Sequence, residues 1–260
     1  MRRLFPRRES TTELREYESF DAALRDSDSY EDPRLVAVVK EKTTRYRESL
    51  NQKTPISTRQ LVQNLFVLSY VEPHRSLNVL EIGGACGASY FETELMLPGR
   101  IRHWAIVETP AMAAAGASDA RLSFHSTIAS ATSKLESRDL AIAQGALQYA
   151  GDPLKTLADL CTLGLSYIYV TRTAVADTDA PIFTRQVTEI AAHGPGRLPN
   201  APEGSSSQPM TLVSFEALTR ALPSNYELLF KFEEGEERTV LVGARHITIR
   251  DVGFLARLGN

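Results

Sequence analysis

The chain has 260 residues, 43% of them hydrophobic and 23% charged, with a net charge of −3. That length carries one substantial core with accessory helices, and the charge balance argues against a large nucleic-acid footprint. No apolar run approaches the ~18 residues that a membrane span needs, and the two cysteines, Cys86 and Cys161, form no disulfide or zinc pattern. A reducing cytoplasm is the expected compartment.

The N-terminus is basic (Arg2, Arg3, Arg7, Arg8) and lacks the apolar stretch of a signal peptide. It reads as a solvated tail, with contact to an anionic membrane surface as the alternative. Three helices are expected before the first strand. Leu14, Tyr17, Phe20 and Leu24 suggest one, and Asp32-Pro33 opens a second carrying Leu35, Val36, Val38 and Val39. Ser57 and Gln60 form a capping box for a third, with Leu61, Val62, Leu65, Phe66 and Leu68 at helical spacing. The last two have enough apolar surface to cap an active site or to build a homodimer. These residues, 1–76, form a basic tail and helical extension. The catalytic domain is expected over 77–260.

The run Asn78-Val79-Leu80-Glu81-Ile82 ends a buried strand, and Gly83, Gly84, Ala85, Cys86 and Gly87 follow as a tight turn into a helix starting near Ala88. Nucleotide-like cofactors bind at such strand ends in open α/β sheets. Neither frame of G-x-G-x-x-G is satisfied, which weighs against a nicotinamide-dependent oxidoreductase, as does the absence of a tyrosine–x3–lysine pair. The segment fits E-x-G-x-A-x-G, through Glu81, Gly83, Ala85 and Gly87.

Trp104 to Glu108 reads as a second strand ending in an acid. Glu108 stands about 20 residues after the turn, where a carboxylate typically accepts from ribose hydroxyls. Thr109-Pro110 opens the next helix. Arg121 to Ser126 is a short third strand, with the polar residues His125 and Ser126 at its end. Asp139 to Gln144 is the fourth; it leaves the sheet at Gln144-Gly145, and Asp152-Pro153 opens the following helix. Ser166 to Thr173 is the fifth. Tyr226–Phe232 and Arg238–Ala244 read as a closing hairpin around Gly235. Between the fifth strand and this hairpin, residues 193–210 are rich in Gly, Pro and Ser and read as an irregular insert, followed by a helix capped by Ser214.

The Glu81–Gly87 motif resembles the first motif of class I S-adenosylmethionine-dependent methyltransferases, with Ala85 in place of the usual middle glycine. With Ser29-Tyr30-Glu31-Asp32, Trp104–Glu108, Gly145–Tyr149 and Thr171-Arg172-Thr173, the chain is similar to a bacterial methyltransferase family associated with polysaccharide biosynthesis. That resemblance implies an α/β fold: a Rossmann-like sheet of seven strands, the last antiparallel, with helices on both faces. It implies S-adenosyl-L-methionine as cofactor, held by Glu81, Gly83, Gly84, Ala85, Gly87, Glu108, Thr109, Ser126, Gln144 and Gly145.

The expected reaction is SN2 methyl transfer to an oxygen of a small molecule or saccharide. Alignment and desolvation dominate such a step, and a hydroxyl acceptor needs a base. His193 is the candidate base, Tyr149 an orienting hydroxyl, and Arg172 a partner for an anionic acceptor. No metal-ligand cluster is visible. The alternative is a non-catalytic binding or dimerisation protein of the same fold.

Overall fold

Five apolar runs become adjacent parallel strands because each is buried on both faces. They are β3 (Leu77–Ile82), β4 (Ile101–Val107), β5 (Leu122–His125), β6 (Leu140–Gln144) and β7 (Tyr167–Ala176). The computed structural model describes residues 12–53, 58–200 and 202–259. The basic residues of the N-terminal tail and the Ser57–Gln60 capping box lie outside that description.

Two long strands complete the sheet: β10 (Tyr226–Val242) and β11 (Arg245–Leu258). The order across it is β1-β10-β11-β7-β6-β3-β4-β5, where β1 (Thr12–Leu14) is an added edge strand parallel to β10. The last strand, β11, runs antiparallel to both neighbours. From β10 to β5 this is the expected seven-strand class I methyltransferase sheet. Strand order reverses between β3 and β6, so the turns after these two strands leave side by side, at the switch point where ligands bind.

Helices cover both faces. Val67 and Leu68 of α3 (Thr58–Tyr70), Val71 just after it and Tyr90 of α4 (Ala88–Met96) pack with Trp104, Ile142 and Tyr169 on one side. Ala131 of α6 (Ile128–Thr132), Leu157 and Leu160 of α7 (Pro153–Thr162) and Leu218 of α8 (Phe215–Arg220) pack with Leu80, Ala141 and Val170 on the other. The expected caps close α7 and α8: Asp152 accepts from the Lys155 amide and Ser214 from the Ala217 amide.

Four sequence expectations are corrected. The segment Leu14–Leu24 is not one helix. It forms β1, β2 (Glu16–Tyr17) and a short α1 (Phe20–Arg25), because backbone pairing with the sheets overrides a weak helical pattern. The closing hairpin does not turn at Gly235. Gly235 takes φ +83 inside β10, where the register slips between Glu234 and Arg238, and the true turn is at Gly243-Ala244.

The insert is only partly irregular, since residues 205–209 belong to β9 (Ser205–Leu212). β9 pairs with β8 (Ile182–Glu189), and β8 with β2, as a second, three-stranded sheet. The inward face of α3 is Asn64, Val67 and Leu68, continued by Val71 just past its end. Val62 and Phe66, expected inside, are 59% and 57% exposed. Asn64 turns inward to donate to Gln144 Oε1 at 3.0 Å, which sets the helix rotation.

Candidate active site

A cleft of ≈ 1840 Å³ opens at the C-terminal ends of β3, β6 and β7. One wall is the turn after β3, where Gly83 takes φ +72 and Ala85 φ +50. A Cβ on Gly83 would stand 2.6 Å from that of Ala146, and one on Gly84 would stand 2.4 Å from Glu81 Oε2. Glycine at 83 lets the two turns touch, glycine at 84 makes room for the Glu81 carboxylate, and both leave backbone facing the cleft. The other walls come from Gln144, Gly145, Gln148 and Tyr149 after β6, from Arg172, and from Gln186 and Met210 of the second sheet. A roof is supplied by α2 (Pro33–Asn51), whose Lys42 and Tyr46 line the cleft. Asp32 starts α2 by accepting from the Arg34 amide at 2.9 Å, as its sequence predicted.

Glu81 is buried in this wall and accepts from Trp104 Nε1 at 2.8 Å. Burial pushes its pKa up to about 7, against the donors Trp104 and Ser89. Glu92, on α4, also faces the cleft and accepts from the Tyr46 hydroxyl at 2.6 Å; burial raises its pKa as well.

Three side chains meet beyond the turn. Tyr30 stands edge-on to Tyr149 at 5.3 Å and to His193 at 6.1 Å between ring centroids. Tyr149 donates to Gln186 Oε1 at 2.5 Å. His193 Nε2 is buried without a hydrogen-bond partner, and burial, then the Lys42 ammonium, depresses its pKa. The imidazole is therefore neutral near pH 7 with a nitrogen free to accept. Lys42 in turn donates to the Ala191 carbonyl at 2.9 Å and fixes the turn before His193.

Arg172 sits at φ +54, held by Glu234, which accepts from its amide at 2.5 Å and from Thr171 Oγ1 at 2.8 Å. Its guanidinium lines the cleft and forms no ion pair among the described residues.

The predicted residues thus divide into two groups. Glu81, Gly83, Gly84, Ala85, Gln144, Gly145, Tyr149, Arg172 and His193 share the cleft. Gly87, Glu108, Thr109 and Ser126 do not line it. Gly87 (φ +91) is buried against Leu122, Phe124 and Ile106, where it lets α4 approach the sheet. Glu108 is turned onto the backbone, accepting from the Ala85 amide at 2.7 Å and the Thr109 amide at 3.1 Å. Ser126 is exposed at the end of β5.

Sequence reading missed Tyr30, Gln148, Gln186 and the Tyr46–Glu92 pair. Tyr30 and Gln148 stood in segments singled out only by family resemblance, and the others had no local signal. Among the described residues no His, Cys, Asp or Glu cluster suits a metal ion, and no helix is long and apolar enough to cross a membrane.

No protein-family model matches the sequence, and no curated protein matches it. Solved structures similar to the chain include an S-adenosylmethionine-dependent methyltransferase from Clostridium acetobutylicum, at 11% identity and a TM-score of 0.43, covering 77% of this chain and 90% of that one. The cyclase SpnF matches at 12% identity and 0.48, covering 90% and 98%. The CurJ carbon methyltransferase matches at 14% and 0.43, covering 78% and 56%.

Proposed function

We propose that the chain is an S-adenosylmethionine-dependent methyltransferase that acts on an oxygen of a small molecule or saccharide. One observation carries the reading: in a class I methyltransferase sheet, the side-chain-poor turn Gly83–Ala85 and the Gln144–Gly145 turn line one cleft at the switch point. The residues fit the cofactor's amino-acid end. Glu81 and Glu92 are acceptors for its ammonium group, and Gly83 and Gly84 admit it to the backbone. Glu108, with two of its lone pairs used by amides, keeps acceptor capacity for ribose hydroxyls. When bound, the cofactor supplies an electrophilic methyl group on a sulfonium.

The chain's own residues do the rest. His193 Nε2 takes the proton of an acceptor hydroxyl. Tyr149 and Gln186 orient that hydroxyl, and Arg172 pairs with an anionic group elsewhere on the acceptor. The roof formed by α2 keeps water from the transfer. The exposed Val62, Phe66 and Tyr70 on α3 support the reading of a homodimer through the N-terminal helices, which sedimentation equilibrium tests.

A second reading, a non-catalytic protein of the same fold, is favoured by the engagement of Glu108 with Ala85. Calorimetric titration with S-adenosylhomocysteine, and with NADH as control, decides between them. Saturable micromolar binding of the first alone is expected. Its absence in folded wild type and also in folded Glu31→Ala and Leu35→Ala variants would overturn the enzyme reading.

A further inference from the structure

The nucleoside half of the predicted cofactor site is closed by the chain itself. Tyr30 and Glu31 lie directly on the turn after β4. The Tyr30 carbonyl accepts from Thr109 Oγ1 at 3.5 Å, and the Glu31 carboxylate accepts from the Ala111 amide at 3.3 Å. One helical turn further, Leu35 and Val39 pack with Cys86 of the glycine turn and with Met112 of α5 (Pro110–Ala115). An adenosine lying between the turns after β3 and β4 would occupy the space these residues fill. This accounts for Glu108 and Thr109 lying outside the cleft while the amino-acid end is open; Ser126 is exposed beyond them.

The covering segment has a built pivot. Asp28 and Ser29 are joined to Ser207 of β9 by four hydrogen bonds: the Asp28 and Ser29 amides donate to the Ser207 hydroxyl and carbonyl, and the Ser207 amide and hydroxyl donate to Asp28 Oδ2. Ser29 itself takes φ +60, a left-handed conformation uncommon for a residue with a Cβ. The hydrogen bonds that join Tyr30 and Glu31 to the turn after β4 are longer than those of the pivot. Those of Glu31 are long and exposed to solvent. The segment is therefore hydrogen-bonded at Asp28–Ser29 and held beyond that point by side-chain packing, Tyr30 against Tyr149 and His193 and Leu35 against Cys86 and Met112.

We propose that Tyr30–Leu35 is a latch over the nucleoside subsite, hinged at Asp28–Ser29, which must lift from Thr109–Ala111 before the cofactor binds. The proposal rests on the methyltransferase reading above.

The test uses the full chain and S-adenosylhomocysteine. Trp104 is the chain's single tryptophan and donates to Glu81, near the end of β3 and two residues before the glycine turn, so its fluorescence is the reporter of binding in stopped flow. A latch makes the observed association rate level off at the opening rate as ligand concentration rises. Glu31→Ala, a surface change, and Leu35→Ala, a deeper one, both raise that plateau and tighten equilibrium binding about threefold to tenfold by removing the cost of opening.

Binding to the variants alone also supports the latch. Binding to wild type with a rate linear in concentration, and with affinity unchanged or weaker in both variants, overturns the latch and leaves the cofactor reading intact. No binding to wild type or to either folded variant overturns both.

Discussion

The Glu108 carboxylate accepts a 2.7 Å hydrogen bond from the Ala85 amide, tying the end of β4 to the glycine turn after β3. Ala85 holds φ +50, a conformation that costs a residue with a Cβ roughly 1–2 kcal/mol. A charged acceptor on its amide offsets that cost at about 1.5–3 kcal/mol. The acid that sequence reading assigned to ribose is therefore also a brace for the turn. Glu108→Ala is expected to lower stability by about 2 kcal/mol, because it leaves the Ala85 and Thr109 amides without their acceptor. Glu108→Gln, which keeps an acceptor oxygen, loses less. Both weaken S-adenosylhomocysteine binding. Denaturant unfolding of the two variants is the check, and a Glu108→Ala protein as stable as wild type would remove the brace.

Glu81 gives the stability curve a definite slope. Burial raises its pKa from an ordinary 4.5 to about 7. Between those values the folded state holds a proton that the unfolded state releases. Stability therefore falls as pH rises through this window and levels off above it. Glu81→Gln keeps an acceptor for Trp104 Nε1 and removes the ionisation. The variant should match wild type near pH 4.5 and exceed it by roughly 3 kcal/mol at most above pH 7. Melting temperatures at pH 5 and pH 8 decide this. Equal gaps between variant and wild type at the two pH values would mean that Glu81 does not titrate in this range.

What sequence showed and what it hid follow from where each signal lies. Buried parallel strands read as unbroken apolar runs, so β3 to β7 were legible, as were the caps Asp32, Asp152 and Ser214. The strand β10 was read as two because Glu233-Glu234-Gly235-Glu236-Glu237 has turn composition, yet the chain continues through it by a bulge. In β9 the run Ser205–Pro209 has poor strand propensity; it is a strand because β8 pairs with it. The cleft residues that follow strands were found, since a strand end and a glycine turn are local signals. Tyr30 and Gln186 were not, since only the folded chain brings them to Tyr149.

Arg172 tests the acceptor class. Its left-handed backbone is fixed by Glu234 and its guanidinium is unpaired among the described residues, so it is presented to the cleft at no cost in broken ion pairs. Arg172→Ala is expected to raise KM for an anionic acceptor by about 10- to 100-fold, equivalent to a lost charge-assisted contact. Arg172→Lys restores only part of this, because an ammonium lacks the planar fork. Affinity for S-adenosylhomocysteine should not move in either variant. If both substrates' constants shift together, Arg172 shapes the cleft and does not recognise the acceptor.

His193 predicts the pH profile of turnover. Its pKa is depressed below 6.5, first by burial and then by the Lys42 ammonium, so the accepting form is the populated one at neutral pH. With His193 as base, kcat is flat above pH 6.5 and falls only as the imidazole takes up a proton at lower pH. His193→Asn should cut kcat by about 100- to 10,000-fold and abolish that acid limb, with cofactor affinity retained. Lys42→Met removes the neighbouring positive charge and should move the limb toward 6.5, since a protonated imidazole is then less disfavoured. Lys42 also holds the Ala191 carbonyl, so kcat itself falls in this variant; the position of the limb is the informative quantity. An acid limb that keeps its midpoint in Lys42→Met and survives in His193→Asn would assign proton removal to another group.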